Sequence, residues 1–372
     1  MSQPLCSAID TGLFLNTNGE VKTCCAGTDP LGNIRSESLP NIFSSFKTIS
    51  IKHQLDNGAS PPYCSLCDRV ESLSPGSSQR SDFNRRFPSK GKRQLKQVDL
   101  RWSNVCNLSC RYCDPVASSS WAKLLDIPVE TANRDYHQSV LDTIANNVDS
   151  IECAFLLGGE PLMQKQNEQL LQILKPTTHL DIVSNMSVSL ENNKIYNALK
   201  GWDSISWNLS FDNVGDRFEY VRYGAKWSQL EHNIQVLKDD FGISKIFLHP
   251  VYSIWSATNL VEYYEFADRH QLGITWQLAN PSFGPYGTDT FSIFDYSQSI
   301  KELALREIER VNINNQFFTE VKNSLLTTQP RFDVAKQFLD WTRRIETLMP
   351  ADKPFNQLWP ELYALMVKTE SP

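Results

Sequence analysis

Three cysteines, Cys106, Cys110 and Cys113, stand within eight residues in the stretch NVCNLSCRYCDP. A disulfide uses two thiols and strands the third. Zinc ordinarily takes four ligands, and no fourth cysteine or histidine lies close by. Three thiolates do suit a 4Fe-4S cluster, where they hold three irons and leave the fourth open to a substrate or cofactor. A second set, Cys6, Cys24, Cys64 and Cys67, lies in the first seventy residues and makes a four-thiolate donor group. Its local spacing does not separate a four-cysteine zinc site from a four-cysteine iron–sulfur cluster. Cys25 adjoins Cys24, and neighbouring side chains on a strand face opposite ways, so one ligates while the other packs. Cys153, in the apolar run IECAFLL, reads as a small core residue.

Polar groups recur at the ends of apolar runs. FLLGGEP carries Gly158, Gly159, Glu160 and Pro161, and paired glycines let backbone come close to a ligand with its amides and carbonyls free. IVSNMS supplies Ser184 and Asn185, and NLSFDN supplies Ser210 and Asp212. FEYVRYG supplies Arg222, whose planar fork can bind a carboxylate bidentately.

These residues need a frame. From Val98 onward short apolar runs alternate with amphipathic ones, predicting strands at Val98–Trp102, Ile151–Leu157, Leu180–Val183, Ile205–Phe211, Ile246–Val251 and Ile274–Leu278. Helical patterns fall between them, as at Gln166–Leu174, Leu230–Lys238 and Leu260–His270. Six strand–helix units in succession predict an α/β fold with a parallel sheet and right-handed crossovers. Six units are too few for an eight-stranded barrel, so the expected shape is a partial (β/α)6 barrel with its site at the C-terminal strand ends. The organisation expected is a small cysteine-rich domain over residues 1–75, a basic linker over 76–96, the partial barrel over 97–285 and a helical C-terminal extension over 286–372.

With that layout the chain resembles the radical S-adenosylmethionine (SAM) superfamily, whose signature is C-x3-C-x2-C after the first strand of a partial TIM barrel. Tyr112 matches the aromatic that commonly precedes the last cysteine. The resemblance implies that Cys106, Cys110 and Cys113 bind a 4Fe-4S cluster and that its open iron takes the amino and carboxylate groups of SAM. One electron then cleaves the sulfonium to a 5′-deoxyadenosyl radical, which abstracts hydrogen from a substrate. It implies that the Gly158–Pro161 motif contacts the SAM amino group. Ser184, Asn185, Ser210 and Asp212 are implied to contact the ribose or methionine portion, and Arg222 the carboxylate. The cysteine-rich N-terminus is similar to SPASM/Twitch auxiliary-cluster domains in its C-x12-G-x4-C run, its LGNI…SLPNIF segment and its late C-x2-C. That likeness implies a second 4Fe-4S cluster on Cys6, Cys24, Cys64 and Cys67. Such domains commonly follow the barrel, whereas here the match precedes it.

The global numbers bound the function. At 372 residues, 41% hydrophobic and 21% charged, the chain is an ordinary globular polypeptide, and its net charge of −6 argues against a general nucleic-acid binder. No apolar run is long enough to span a bilayer, so no membrane partner is expected. The start MSQPLCSAIDTG lacks signal-peptide character, and nine cysteines, an odd count, weaken a disulfide framework, so a cytoplasmic setting is expected. The leading function is a radical SAM enzyme acting on a peptide or protein, with a reductant such as flavodoxin or ferredoxin. The alternatives are modification of a nucleoside, sugar or RNA, and, in another class, a zinc-stabilised RNA-binding protein. The basic stretch Arg80, Arg85, Arg86, Lys90, Lys92, Arg93, Lys96 and Arg101 is the feature that keeps RNA in view.

Overall fold

The computed structural model describes residues 5–73, 76–89, 91–128, 134–279 and 290–369. Lys90 of the basic stretch and the expected boundaries at 75 and 285 lie outside them. In chain order the strands are β1 Gly12–Leu15, β2 Glu20–Lys22, β3 Gly32–Asn33, β4 Gln97–Leu100, β5 Ser109–Cys110, β6 Cys153–Leu156 and β7 His179–Ser184. They continue with β8 Ile205–Leu209, β9 Arg222–Tyr223, β10 Ile246–Leu248, β11 Val251–Tyr252, β12 Gly273–Ile274 and β13 Gln277–Leu278. The chain divides into two compact units, one of Met1–Val105, Val129–Ser184 and Glu191–Ser206, the other of Cys106–Pro128, Asn185–Leu190 and Trp207–Pro372. The division falls inside β8.

In the first unit β4 pairs in parallel with β6, and β6 with β7. Val98, Leu100, Ala154, Leu156, Leu180 and Ile182 are fully buried, alternate positions that turn one face of the strands to the core, while Asp99, Phe155 and Asp181 between them are half-buried. On its other edge β4 pairs in parallel with β1, from Gly12 opposite Gln97 to Leu15 opposite Leu100. β1 then turns through a hairpin to β2, with Gly19 at φ +83°, and β2 pairs with β3. The cysteine-rich N-terminus is therefore hydrogen-bonded into the same sheet as the first barrel strand.

In the second unit β8 pairs in parallel with β10, and β10 with β12. The helix Trp227–Phe241 buries Leu230, Ile234, Leu237 and Phe241, a spacing that lays one apolar stripe against the strands. The helix Leu260–His270 has the bounds its sequence pattern predicts. Beyond residue 290 the chain is helical at Gln298–Val311, Gln316–Thr327, Val334–Leu348 and Pro360–Thr369. Trp255 gathers this region through ring contacts with Phe338, Phe355 and Trp359 at 4.9 to 5.6 Å. The α/β class and the parallel sheet are both present. The predicted run Ile274–Leu278 is two short strands with different partners, β12 against β10 and β13 against β11.

Candidate functional site

The three-cysteine loop belongs to the second unit. Its middle is a short strand, β5, paired antiparallel with β9 so that Cys110 faces Arg222 and Ser109 faces Tyr223. The Arg111 amide donates to the Val221 carbonyl at 2.8 Å, and the Cys113 amide closes a turn on the Cys110 carbonyl at 2.8 Å. Arg111, between Cys110 and Tyr112, is fully buried. It donates from Nε to the Tyr220 carbonyl and from Nη2 to the Met349 carbonyl, both at 2.7 Å, and stacks on the Tyr220 ring at 3.9 Å. The helical C-terminal region thus holds the loop through a cation inside the C-x2-C turn. Trp121 adds a donor to the Cys110 carbonyl at 2.7 Å.

Around the thiols lies a buried polar group. Asp212 accepts from the Tyr112 hydroxyl at 2.7 Å, from the Val251 amide at 2.8 Å and from Arg222 at 3.3 Å. Arg222 also reaches Ser210 at 3.3 Å and the Cys110 sulfur at 3.9 Å, with its guanidinium 5.5 Å from the Tyr112 ring centre. It is 5% exposed, and its Nε has no hydrogen-bond partner. Burial works against the Arg222 charge, yet Tyr112, Asp212 and Cys110 around it hold the proton more firmly than usual. Burial pushes the Cys110 thiol up, and Arg222 opposes that push. Burial likewise raises Cys113, with Cys110 adding to it. Asn185 completes this set, its Nδ2 3.8 Å from the Cys106 sulfur and 3.0 Å from Asn107 Oδ1.

The Gly158–Pro161 motif belongs to the first unit, at the end of β6. A Cβ on Gly159 would meet the Val105 carbonyl oxygen at 2.3 Å, so glycine is required by backbone contact there. The Glu160 amide donates to that same carbonyl at 2.8 Å. Val105 leads directly into Cys106, so the motif braces the backbone that enters the three-cysteine loop. Glu160 is fully buried, and its carboxylate accepts from the Ser184 hydroxyl at 2.8 Å and from the Leu162 amide at 3.2 Å. Pro161 opens the 3-10 turn that follows.

The N-terminal thiols form a separate group in the first unit. Cys6, Cys24, Cys64 and Cys67 line one small cavity, with Ala8, Tyr63 and Arg80 among the other walls. Cys25 is not part of that lining and is exposed. Burial raises Cys6 to about 12 and Cys24 well above the ordinary thiol value, with neighbouring cysteines adding to both. Tyr63 ties the wall together by accepting at its hydroxyl from the Thr23 amide at 2.9 Å. Among the described residues no three His, Cys, Asp or Glu side chains stand close enough to hold one single ion.

The basic stretch is largely committed within the first unit. Arg80 pairs with Asp68 and Glu71, Arg85 and Arg86 with Asp82, Lys96 with Glu152 and Arg101 with Asp99. Arg93 donates to the carbonyls of Ile9 at 2.8 Å and Gly12 at 3.1 Å, and lies 3.2 Å from the Phe43 ring centre. Composition missed Arg80, Arg93 and Arg111 as internal ties, and only Arg111, which adjoins Cys110, had a cysteine close in sequence that could have flagged it.

The family described as SPASM, an iron–sulfur cluster-binding domain, matches residues 6–68, the stretch that contains Cys6, Cys24, Cys64 and Cys67. No curated protein matches the chain. Among solved structures, native anSMEcpe with bound AdoMet and Kp18Cys peptide is similar at 14% identity and TM-score 0.43, covering 65% of this chain and 66% of that one. SuiB from Streptococcus suis bound to S-adenosylmethionine is similar at 14% identity and TM-score 0.42, covering 76% of this chain and 60% of that one. SuiB bound to the precursor peptide SuiA gives 14% identity and TM-score 0.43, with 82% and 70% covered. The chain thus spans just under two thirds of the first of these structures. The SPASM match gives residues 6–68 as an iron–sulfur cluster-binding domain, and the C-x3-C-x2-C loop at Cys106–Cys113 resembles the signature of the radical SAM enzymes.

Proposed function

We propose that the chain cleaves SAM reductively and uses the radical so made to abstract hydrogen from a peptide or protein. The observation that carries this reading is the buried set around Cys106, Cys110 and Cys113. Three thiols share one braced loop, and beside them Arg222, itself 5% exposed to water, keeps one donor unspent. A buried donor without a partner costs free energy, so an acceptor is called for there. The carboxylate of SAM fits that need by charge and by the planar shape of the fork. When bound, a 4Fe-4S cluster and SAM supply one-electron cleavage of the sulfonium and the 5′-deoxyadenosyl radical.

The chain's own residues supply binding, orientation and exclusion of water. Asp212 and Tyr112 fix the Arg222 fork, so its direction is set before a ligand arrives. Arg111 fixes the loop that presents the thiols. In the first unit the Glu160–Ser184 pair fixes the glycine motif, which by the family resemblance meets the SAM amino group. The N-terminal cavity, lined by four thiols, has the donor set for a second cluster.

A peptide or protein substrate is supported by the SPASM domain, through the resemblance to peptide-modifying members. The peptide reading is favoured over RNA because Arg80 and Arg93 of the basic stretch are committed to internal partners. Anaerobic reconstitution with iron and sulfide, followed by dithionite and SAM, tests the reading. Formation of 5′-deoxyadenosine that disappears when Cys106, Cys110 and Cys113 are all replaced by alanine is the expected result. Uncleaved SAM with a fully loaded cluster would overturn it.

A further inference from the structure

We infer that Arg80 is a positioning residue of the four-cysteine site, donating to the cluster there and setting its reduction potential. This rests on the reading of that cavity as an iron–sulfur centre. Arg80 lies beyond the residues matched to the SPASM family, on the helix Gln79–Arg86, yet it lines the cavity with Cys6, Cys24, Cys64 and Cys67. It is 6% exposed. Its terminal nitrogens are spent on Glu71 at 2.9 Å, Asp68 at 2.7 Å and Ser60 at 2.8 Å. Asp68 directly follows Cys67, and Glu71 lies on the same helix, Ser65–Leu73. The carboxylates that orient the guanidinium are therefore carried by the element that supplies a cluster thiol.

Those bonds fix the fork and leave Nε buried with no hydrogen-bond partner. An arginine this well held does not bury a donor idly, because an unmade bond carries the full desolvation penalty. The cavity offers sulfur as the acceptor. Arg80 and Cys64 line the same cavity wall, which places the guanidinium charge beside that ligand. A positive charge and a donor next to cluster sulfur favour the state with one more electron, so Arg80 raises the potential. Reduction here adds one electron from the titrant, and Arg80 neither gains nor loses a proton or bond.

The test uses the full chain with Cys106, Cys110 and Cys113 replaced by alanine, so that only the N-terminal site holds iron. After anaerobic reconstitution, a dithionite titration followed by electron paramagnetic resonance reads the midpoint. Arg80→Gln is expected to shift the one-electron equilibrium at least tenfold towards the oxidised cluster, a fall of about 59 mV or more. Arg80→Lys, which keeps charge without the fixed Nε, is expected to recover part of that fall. Glu71→Gln keeps the arginine, removes one counter-charge and is expected to raise the midpoint, which serves if Arg80→Gln does not load iron. Wild-type midpoints in the iron-loaded variants overturn the role of Arg80. A background protein that binds no iron at all overturns the cluster reading itself, and Arg80's role with it.

Discussion

Gly159→Ala perturbs the site by one methyl group, and its effect can be worked from backbone distances. The added Cβ would stand 2.3 Å from the Val105 oxygen, 2.7 Å from the Val105 carbonyl carbon and 2.8 Å from the Asn104 carbonyl carbon. None of these atoms belongs to a side chain that could swing away. Clearing the 3.0 Å below which such contacts are essentially never seen requires a displacement of about 0.7 Å or more. Two hydrogen bonds hold the same backbone in place, from the Gly159 amide to Ser103 at 3.3 Å and from the Glu160 amide to Val105 at 2.8 Å. Overpacking of this kind costs about 1–3 kcal/mol. Val105 is bonded to Cys106, so the shift enters the three-cysteine loop directly, and a misplacement approaching 1 Å can cost roughly a hundredfold in rate. The assay is 5′-deoxyadenosine formation per loaded cluster under anaerobic conditions, with iron content measured on the same sample. A rate about a hundredfold below wild type is expected. A wild-type rate with full iron would refute the bracing role of the motif.

Further outcomes follow from the same geometry. Arg222→Ala is expected to weaken SAM binding by about 2–5 kcal/mol, measured by anaerobic equilibrium dialysis on cluster-loaded protein, and wild-type affinity would return Arg222 to a purely structural tie with Asp212. Cys24→Ala is expected to lose the N-terminal iron while Cys25→Ala keeps it, because Cys24 and not Cys25 lines the cavity, and the opposite iron contents would reverse that choice. Arg93→Ala strands the carbonyls of Ile9 and Gly12 and is expected to cost about 1–3 kcal/mol of stability in urea unfolding, whereas exposed Lys92→Ala stays within about 0.5 kcal/mol. Equal effects at the two positions would mean that the basic stretch is uniformly superficial.

What could be read from sequence was what local spacing encodes. The helix Leu260–His270 and the parallel strands show in the periodicity, since buried faces repeat every 3.6 or two residues. The thiol sets and the Gly158–Pro161 motif show because thiolate ligation and close backbone approach demand particular residues at short range. Pairings between distant segments do not show. β1 joins β4 across some eighty residues, and nothing in GLFL marks Gln97–Leu100 as its partner. Charge counting likewise hides burial. Arg80 and Arg93 add to a basic stretch on paper, but one is locked between Asp68 and Glu71 and the other caps backbone carbonyls over Phe43. Arg111 carries no signal beyond its place in the C-x2-C turn, because its partners, Tyr220 and Met349, are more than a hundred residues away.

The central claim is that two thiol sets hold two clusters and that only the three-cysteine set cleaves SAM. Iron counted per chain after anaerobic reconstitution, with 5′-deoxyadenosine assayed on the same protein, tests it most directly. Replacing Cys106, Cys110 and Cys113 together with alanine is predicted to remove about half the iron and all of the cleavage. Unchanged iron, or cleavage that persists in that variant, would contradict the account.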